Sequence, residues 1–440
     1  MKVLFITPEI EDTKYRGVQF VIKQYIKALH TAGNSIAVTT SYPQLSVKVS
    51  SSELKKKVSR TYVNKYFADA KTLLSEMYTY PGRLSIFIDF FSGLFASPQV
   101  THIEKNSTAG IATLQYIDET VNIPGFYKFV NVMPRFLRGY FVSKLAQKVD
   151  ADVVVVSYPI ALPKMKHVKV AQIIYDLIPF EISEESAGNK WLLKLAQRLD
   201  TATKNSNMIL TISEDSKKKI LEIKEDAHVV NVGAAVSAYE EELASFKGLD
   251  SALTKFNLEK GSYLLFMSSV ERRKNVHRLI QAYVSVADKL GKKLVILGND
   301  KTAHAKAIKD EARSAPRRIR NNIIFTGYAS EEDKYSLLQN AAALINPTLY
   351  EGFSLPVLEA FVFDCPVATS LVGATKEVAG DAVVPIANPY SISAIADAMV
   401  KVITDESLQK ELIIKGRKQS ALFTESVLQQ KLQRAFSEIE

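Results

Sequence analysis

Two glutamates stand eight positions apart around a predicted helix start, in the run 350–360, which reads YEGFSLPVLEA. Pro356 suits the first turn of a helix, because its missing N–H would be unpaired there in any case. Ser354 is the predicted cap of that helix. If the helix covered both Glu351 and Glu359, they would lie roughly 12 Å apart. That separation is too large for the carboxylate pair of a retaining glycosidase.

The first amides of this predicted helix, which begins near Leu355, would face whatever lies beyond Gly352 and Phe353. Free N–H groups and the positive end of the helix dipole favour an anion such as phosphate. The two glutamates then contact opposite ends of a long ligand with phosphates between them, which is the shape of a nucleotide sugar. A surface helix that carries two solvated glutamates is the alternative interpretation of the same spacing.

Three consecutive cations, Arg272, Arg273 and Lys274, lie between an apolar strand-like run and an amphipathic helical pattern. They would repel each other and gain little from a helix N-terminus unless an anionic ligand lay among them. This placement predicts a clamp for a diphosphate. A solvated basic turn is the alternative.

Three further candidate sites lie at the end of a predicted strand or in the loop that follows one. Tyr175 and Asp176 follow an apolar run and should emerge at the carboxyl edge of a sheet, where open α/β sheets bind ligands. Gly17 opens the first predicted helix, where the missing side chain lets backbone N–H groups approach an anion. Gly327 closes another strand, and an ordinary strand-to-loop glycine explains it equally well.

Several of these motifs together resemble glycosyltransferase family 4, the retaining transferases of GT-B fold, over nearly the full length of the chain. EGFSLPVLEA is similar to the family pattern EGFxLPxLEA, VERRKN to the end of GTxEPRKN, and YDLIP to HDLIP. The resemblance implies two Rossmann-like domains that face each other across a cleft. It also implies that Glu351 contacts donor sugar hydroxyls, that Glu359 contacts the ribose, and that Arg273 and Lys274 neutralise the departing diphosphate.

By the same resemblance, the amides of Gly352, Phe353, Ser354 and Leu355 cradle phosphate oxygens, Gly17 lies against the donor diphosphate, and Gly327 lines the base pocket. The candidate catalytic residues are Glu351, Lys274, Arg273, Tyr175 and Asp176.

The chain departs from the family pattern at three places. Tyr175 stands where the family has histidine, and tyrosine titrates near pH 10, so it cannot replace an imidazole. Ser268 and Arg272 stand where glycine and proline are usual, and Arg16 precedes Gly17 where two glycines are usual. Either the histidine is dispensable or this protein has lost turnover.

The length of 440 residues predicts two domains. Strand-like and helix-like segments alternate along both halves, which is typical of doubly wound α/β folds. The predicted strands are 2–7, 36–39, 153–156, 170–175, 208–212, 263–267, 293–297, 323–325, 343–345, 366–369 and 383–384. We expect an acceptor domain at 1–240, a nucleotide-sugar domain at 241–425, and a C-terminal helix at 426–440 that crosses back to the first domain.

Composition excludes several classes. No apolar run is long enough to span a membrane, no signal peptide is evident, and one cysteine permits no internal disulfide, which together predict a cytoplasmic protein. The net charge of +9 attracts anions, but no nucleic-acid motif accompanies it. The histidines are scattered, and Asp150 and Asp152, formally a DxD, precede a strand, so we expect neither metal nor cofactor.

Aromatic residues alternate with arginines between Phe126 and Phe141, after a basic run at 55–60 and an apolar stretch at 84–95. Such a pattern suits contact with the inner face of a membrane or with a lipid-linked acceptor. Core helices with snorkelling basic residues are the alternative.

The sequence thus predicts a retaining, metal-independent transferase that moves a hexosyl unit from a nucleotide-diphosphate sugar to a glycan or lipid-linked acceptor, in surface polysaccharide synthesis. Resemblance around DLIP and EGFSLPVLEA leans toward GDP-mannose as the donor. A catalytically reduced GT-B binding or scaffold protein is the alternative, because of Tyr175 and the altered loops.

Overall fold

The computed structural model describes residues 1–7, 17–40, 97–103, 113–123, 126, 130, 134–181, 190–236, 246, 248 and 250–439. The predictions that concern Arg16, the basic run at 55–60 and the apolar stretch at 84–95 lie outside these residues. None of the helices in these ranges combines the length and the apolar character that a membrane-spanning segment needs.

The first sheet contains eight of the described strands: β1 Lys2–Ile6, β2 Ser35–Thr40, β3 Gln99–His102, β4 Glu119–Asn122, β5 Val153–Val156, β6 Lys169–Ile173, β7 Met208–Thr211 and β8 Val229–Asn231. Their order is β3-β4-β2-β1-β5-β6-β7-β8, and all pairs are parallel except β3 with β4. The strand β5 consists of four buried valines, as expected for a parallel sheet that is covered on both faces.

The second sheet contains six parallel strands: β9 Tyr263–Met267, β10 Lys293–Leu297, β11 Ile323–Gly327, β12 Ala343–Asn346, β13 Val367–Thr369 and β14 Val384–Pro385. Their order is β11-β10-β9-β12-β13-β14. This is the doubly wound order of dinucleotide-binding folds, and it reverses direction between β9 and β12. Ligands of such sheets bind at the carboxyl ends of the two strands that flank the reversal.

Helices cover both sheets. They are α1 Gly17–Thr31, α2 Arg135–Lys148, α3 Ile178–Glu181, α4 Lys190–Asn205, α5 Glu214–Ile223, α6 Ser251–Phe256, α7 Val276–Leu290, α8 Ala303–Ser314, α9 Arg317–Arg320, α10 Glu331–Asn340, α11 Leu355–Val362, α12 Thr375–Ala379, α13 Ile392–Thr404, α14 Glu406–Ser420 and α15 Glu425–Ile439. In α7 the buried residues Leu279, Ile280 and Tyr283 recur at helical spacing and face the second sheet's core. Gly291 ends this helix at φ +59°, a conformation that glycine adopts without strain.

The last helix lies against the first. The ammonium of Lys27 on α1 forms an ion pair with Glu425 at the start of α15, at 2.7 Å. Tyr25 of α1 donates its hydroxyl proton to the carbonyl of Gly233, at 2.7 Å, in the segment that follows β8. The helix α15 therefore packs on the first domain although it follows the second in the chain.

The structure confirms the predicted α/β class with two parallel-sheet domains. Each of the predicted strands is present, and β5, β9 and β10 match their predicted bounds. Three described strands, β3, β4 and β8, were not predicted, because they are only three or four residues long. The strand β6 ends at Ile173, two residues before its predicted end, so Tyr175 and Asp176 belong to the following loop.

Candidate active site

Two loops meet at the carboxyl ends of β9 and β12, where the strand order of the second sheet reverses. The first loop, 268–275, leads to α7, and the second, 347–354, leads to α11. The amide of Leu349 donates to the carbonyl of Arg273 at 2.8 Å, and the hydroxyl of Thr348 donates to the same oxygen at 3.2 Å. Asn275 is fully buried and donates from its side-chain amide to the carbonyl of Pro347, at 2.9 Å. These bonds hold the two loops together.

The joined loops bring two cations onto one carboxylate. Glu351 accepts from Lys274 Nζ through Oε1 at 2.5 Å and from Arg273 Nη1 through Oε2 at 2.9 Å. The side chains of Lys274 and Glu351 are each only 6% exposed. Burial alone would raise the pKa of Glu351, but Lys274 and Arg273 outweigh it and hold that pKa below its usual value. With all three groups ionised, the cluster keeps one positive charge.

The helix α11 starts at Leu355, as predicted, but Ser354 does not cap it with its side chain. Ser354 has φ +88° and ψ 53°, and its hydroxyl accepts from the side-chain amide of Asn346 at 3.4 Å instead. A serine in this left-handed conformation is strained, and such strain is found most often at functional sites. Among the described residues, no acceptor contacts the amides from Gly352 to Leu355, so these N–H groups are available to an anion.

Asp176 approaches this cluster from the first domain. A Cβ built on Gly352 would lie 2.6 Å from Asp176 Oδ2, so the glycine lets the two loops touch. Asp176 also accepts from the amide of Ile178 at 3.1 Å. Burial raises the pKa of Asp176, although that amide, Arg273 and Lys274 act in the opposite direction. The predicted residues Arg273, Lys274, Glu351, Gly352 and Asp176 therefore lie together.

Glu359 has a separate set of partners. It is 3% exposed, and its Oε1 accepts from Lys334 Nζ at 2.9 Å and from the hydroxyl of Tyr335 at 3.3 Å. The separation of roughly 12 Å expected for the two glutamates assumed that one helix covers both. Glu351 precedes α11, so that estimate does not apply. The two glutamates thus bind different cations, on either side of the helix start.

The other predicted residues lie at the edges of this region. Gly17 begins α1, and no atom lies within 4 Å of a Cβ built on it. Gly327 ends β11 at φ +68°, and its built Cβ would lie 3.5 Å from Asp300 Oδ1. The ring of Phe353 is buried and contacts Phe423 edge to face, with 5.7 Å between centroids. Tyr175 packs on the first core, and its carbonyl accepts from the hydroxyl of Ser216 at 3.0 Å.

Three contacts that the sequence did not predict surround Glu351. The carbonyl of Glu351 accepts from the amide of Ala374 at 3.0 Å. Beside it, Gly373 has φ +54°, and a Cβ there would lie 2.5 Å from that carbonyl. The glycine was visible in the sequence, but its proximity to Glu351 depends on the fold.

Helix α5 of the first domain contributes the second and third contacts. The hydroxyl of Tyr350 donates to the carboxylate of Asp215 and accepts from Lys219 Nζ, the latter at 2.6 Å. Glu377, on α12 of the second domain, accepts from the amide of Glu214 at 3.0 Å at the start of α5. Side chains of the two domains therefore meet directly beside Glu351.

The formal DxD lies away from this region. Asp152 directly precedes β5 and accepts from the amide of Lys2 at 2.7 Å, at the amino edge of the first sheet. Within the described ranges, no group of three or more histidine, cysteine, aspartate or glutamate side chains could hold a metal ion.

Comparisons with known proteins match the second domain to a family of glycosyl transferases. A family model described as Glycosyl transferases group 1 matches residues 250–419, which include all strands of the second sheet. The serotype-specific mannosyltransferase WbdA of Escherichia coli is 28% identical over 266 residues, which make up 58% of this chain and 32% of WbdA. The chain thus spans about a third of the length of the first curated relatives that it matches.

Solved structures resemble the whole chain. Sucrose-phosphate synthase from Thermosynechococcus elongatus has a TM-score of 0.67 at 14% identity, covering 99% of this chain and 98% of that one. HepE from Anabaena, solved in complex with UDP-glucose, has a TM-score of 0.63 at 14% identity and full coverage of both chains. This likeness confirms the predicted GT-B fold.

Proposed function

We propose that the protein is a glycosyltransferase of family 4 that moves a hexosyl unit from a nucleotide-diphosphate sugar to a glycan or lipid-linked acceptor, with retention of configuration. The observation that carries this proposal is the convergence of Arg273, Lys274, Glu351 and the start of α11 at the reversal point of the second sheet. The match of the second domain to Glycosyl transferases group 1 supports it.

The chemistry of the site suits departure of a diphosphate. When the bond from the sugar to the phosphate breaks, negative charge grows on the leaving group, and preorganised cations and amides stabilise it. Arg273 and Lys274 supply cations that Glu351 already orients, at 2.9 Å and 2.5 Å. The amides from Gly352 to Leu355 supply donors at a helix start. Because these cations and amides stabilise the charge of the diphosphate, we propose that the reaction needs no metal ion.

Glu351 then accepts hydrogen bonds from sugar hydroxyls through the lone pairs that Arg273 and Lys274 do not occupy. Asp176 borders the same space from the first domain, where the acceptor should bind. Because burial raises the pKa of Asp176, this carboxyl is the best candidate for a proton carrier among the residues predicted from the sequence. Tyr175 contributes packing beside it, and the leaving phosphate itself is a suitable base for the acceptor proton.

The names of the relatives guide the choice of donors to test. WbdA is named a mannosyltransferase, and HepE was solved with UDP-glucose, so both a mannosyl and a glucosyl donor belong in the test panel. We propose surface polysaccharide synthesis as the setting, with GDP-mannose as the first donor to examine.

We further propose that α2 brings the protein to the inner face of a membrane. Its side chains Phe136 and Tyr140 are 69% and 48% exposed, whereas Phe141 is buried in the core. The segment 134–149 carries four basic residues and no acidic one. A helix that presents exposed aromatic side chains and lies in a segment with basic but no acidic residues suits a surface of anionic lipids.

The experiment is a panel of nucleotide sugars, read first by thermal shift and then by donor hydrolysis. One donor should raise the melting temperature, because a ligand that binds the folded state stabilises it. Slow hydrolysis of that donor should continue in EDTA. If no nucleotide sugar binds, the transferase proposal fails. If one binds but neither hydrolysis nor transfer follows with any glycan or lipid-linked acceptor, the protein is a GT-B binding or scaffold protein.

A further inference from the structure

The lysine that contacts Glu359 is buried. Lys334 lies on the first turn of α10, and its side chain is 10% exposed, whereas Lys255, which contacts Asp333 of the same turn, is 55% exposed. Lysine is seldom buried without a specific partner. Its Nζ lies 2.9 Å from Glu359 Oε1 and 2.8 Å from Glu331 Oε2, so Lys334 forms ion pairs with these two carboxylates.

The contacts to Glu359 are asymmetric. Lys334 and the hydroxyl of Tyr335 both donate to Oε1, and among the described residues no donor contacts Oε2. A carboxylate held by one oxygen keeps the lone pairs of the other for a ligand. Two adjacent hydroxyls are a suitable ligand, because each donates one hydrogen bond to a carboxylate.

The position of Glu359 on α11 fits this role. It lies four residues after Leu355, which corresponds to a rise of about 6 Å along the helix from the amides at its start. That span is comparable with the distance from a nucleotide's α-phosphate to its ribose hydroxyls. A diphosphate at the helix start would therefore bring the ribose beside Glu359.

We propose that Lys334 is a positioning residue for the nucleotide: it holds Glu359 by Oε1, so that Oε2 accepts from both ribose hydroxyls and the site selects ribonucleotides over 2′-deoxyribonucleotides. This inference rests on the proposed function, because it assumes that a nucleotide diphosphate binds at the start of α11.

Lys334 also opposes protonation of Glu359. Burial raises the pKa of Glu359, Glu331 raises it further, and Lys334 and Tyr335 act against this rise. Without Lys334 the pKa of Glu359 rises higher still. A protonated Glu359 has fewer lone pairs for two hydroxyl donors, so the loss of Lys334 should weaken ribonucleotide binding most at low pH.

The test measures calorimetric affinities for UDP, GDP and their 2′-deoxy counterparts. The wild-type protein should bind one ribonucleotide about tenfold more tightly than its deoxy form, the scale of one hydrogen bond to a charged group. Lys334→Met should reduce this preference to below about twofold, and Lys334→Arg should restore most of it. In Lys334→Met, ribonucleotide affinity should recover as the pH rises, because deprotonation restores the lone pairs of Glu359.

Lys255→Met is the matched control, because it removes a lysine that contacts the same helical turn but not Glu359. It should leave the ribose preference unchanged. A folded Lys334→Met protein that keeps the full preference for the ribonucleotide overturns the inference. A wild-type protein that binds the ribonucleotide and its 2′-deoxy form equally, while Lys274 variants still lose diphosphate affinity, overturns it as well. If neither UDP nor GDP binds the wild-type protein, the proposed function fails as well.

Discussion

Replacing Lys274 with methionine probes the centre of the proposed site. Methionine has a similar volume but no charge, so the packing around position 274 is largely kept while the bond to Glu351 is lost. Arg273 remains 2.9 Å from Glu351, and the carboxylate therefore keeps one cationic partner. While Glu351 stays ionised beside Arg273, the net charge of the three groups falls from plus one to zero.

The loss in diphosphate binding follows from that change. A hydrogen bond to a charged group contributes about 1.5 to 3 kcal/mol. The dissociation constant of a nucleoside diphosphate should therefore rise roughly 10- to 150-fold. The nucleoside without phosphates should bind with unchanged affinity, because it does not reach Lys274.

The assay is calorimetry near neutral pH. The pKa of Glu351 is lower in the folded protein than its ordinary value of 4.5, so the stability from its ion pairs is fully present above that pH and is lost as the pH falls below it. Near neutral pH Glu351 is thus ionised in the wild-type protein, whereas loss of Lys274 raises its pKa because Arg273 alone then opposes the effect of burial. Lys255→Met serves again as the control for the loss of one lysine. A diphosphate affinity within twofold of wild type, in a folded Lys274→Met protein, would refute the clamp.

Three other substitutions separate ligand contact from protein packing. Gly17→Ala should leave the melting temperature unchanged, because no protein atom lies within 4 Å of the new Cβ, yet it should weaken donor binding; unchanged affinity would remove Gly17 from the site. Gly352→Ala places a Cβ 2.6 Å from Asp176 Oδ2, so it should lower the melting temperature and turnover together, and a fully active, equally stable variant would contradict the contact between the loops. Tyr350→Phe keeps the ring 4.1 Å from Lys219 Nζ but removes the hydroxyl between the domains, so unfolding should need about 1 kcal/mol less, measured by denaturant titration. A wild-type midpoint for Tyr350→Phe would show that the hydroxyl contributes nothing.

Local patterns predicted the second domain well. The strands β9 and β10 are short apolar runs that end at polar residues or glycine, so their bounds follow from composition. The start of α11 follows from Pro356, which fits only the first turn. The cluster of Arg273, Lys274 and Glu351 follows from topology, because the carboxyl ends of β9 and β12 are neighbours in this strand order.

Other features of the site depend on contacts between distant parts of the chain, which no local sequence pattern encodes. Ser354 matches the preference for a cap, yet its backbone is left-handed and its hydroxyl accepts from Asn346. Lys334 belongs to a first turn rich in charged residues, which is typical of a solvated face, but the fold buries it against Glu359. Tyr350 contacts α5 only because the two domains meet beside it.

A crystal structure with an intact nucleotide sugar bound tests the central claim most directly. We predict that the diphosphate oxygens lie within hydrogen-bond distance of Arg273 or Lys274 and of the amides between Gly352 and Leu355. A nucleotide sugar whose diphosphate lies elsewhere, with Glu351 and α11 free of contact, would contradict the account.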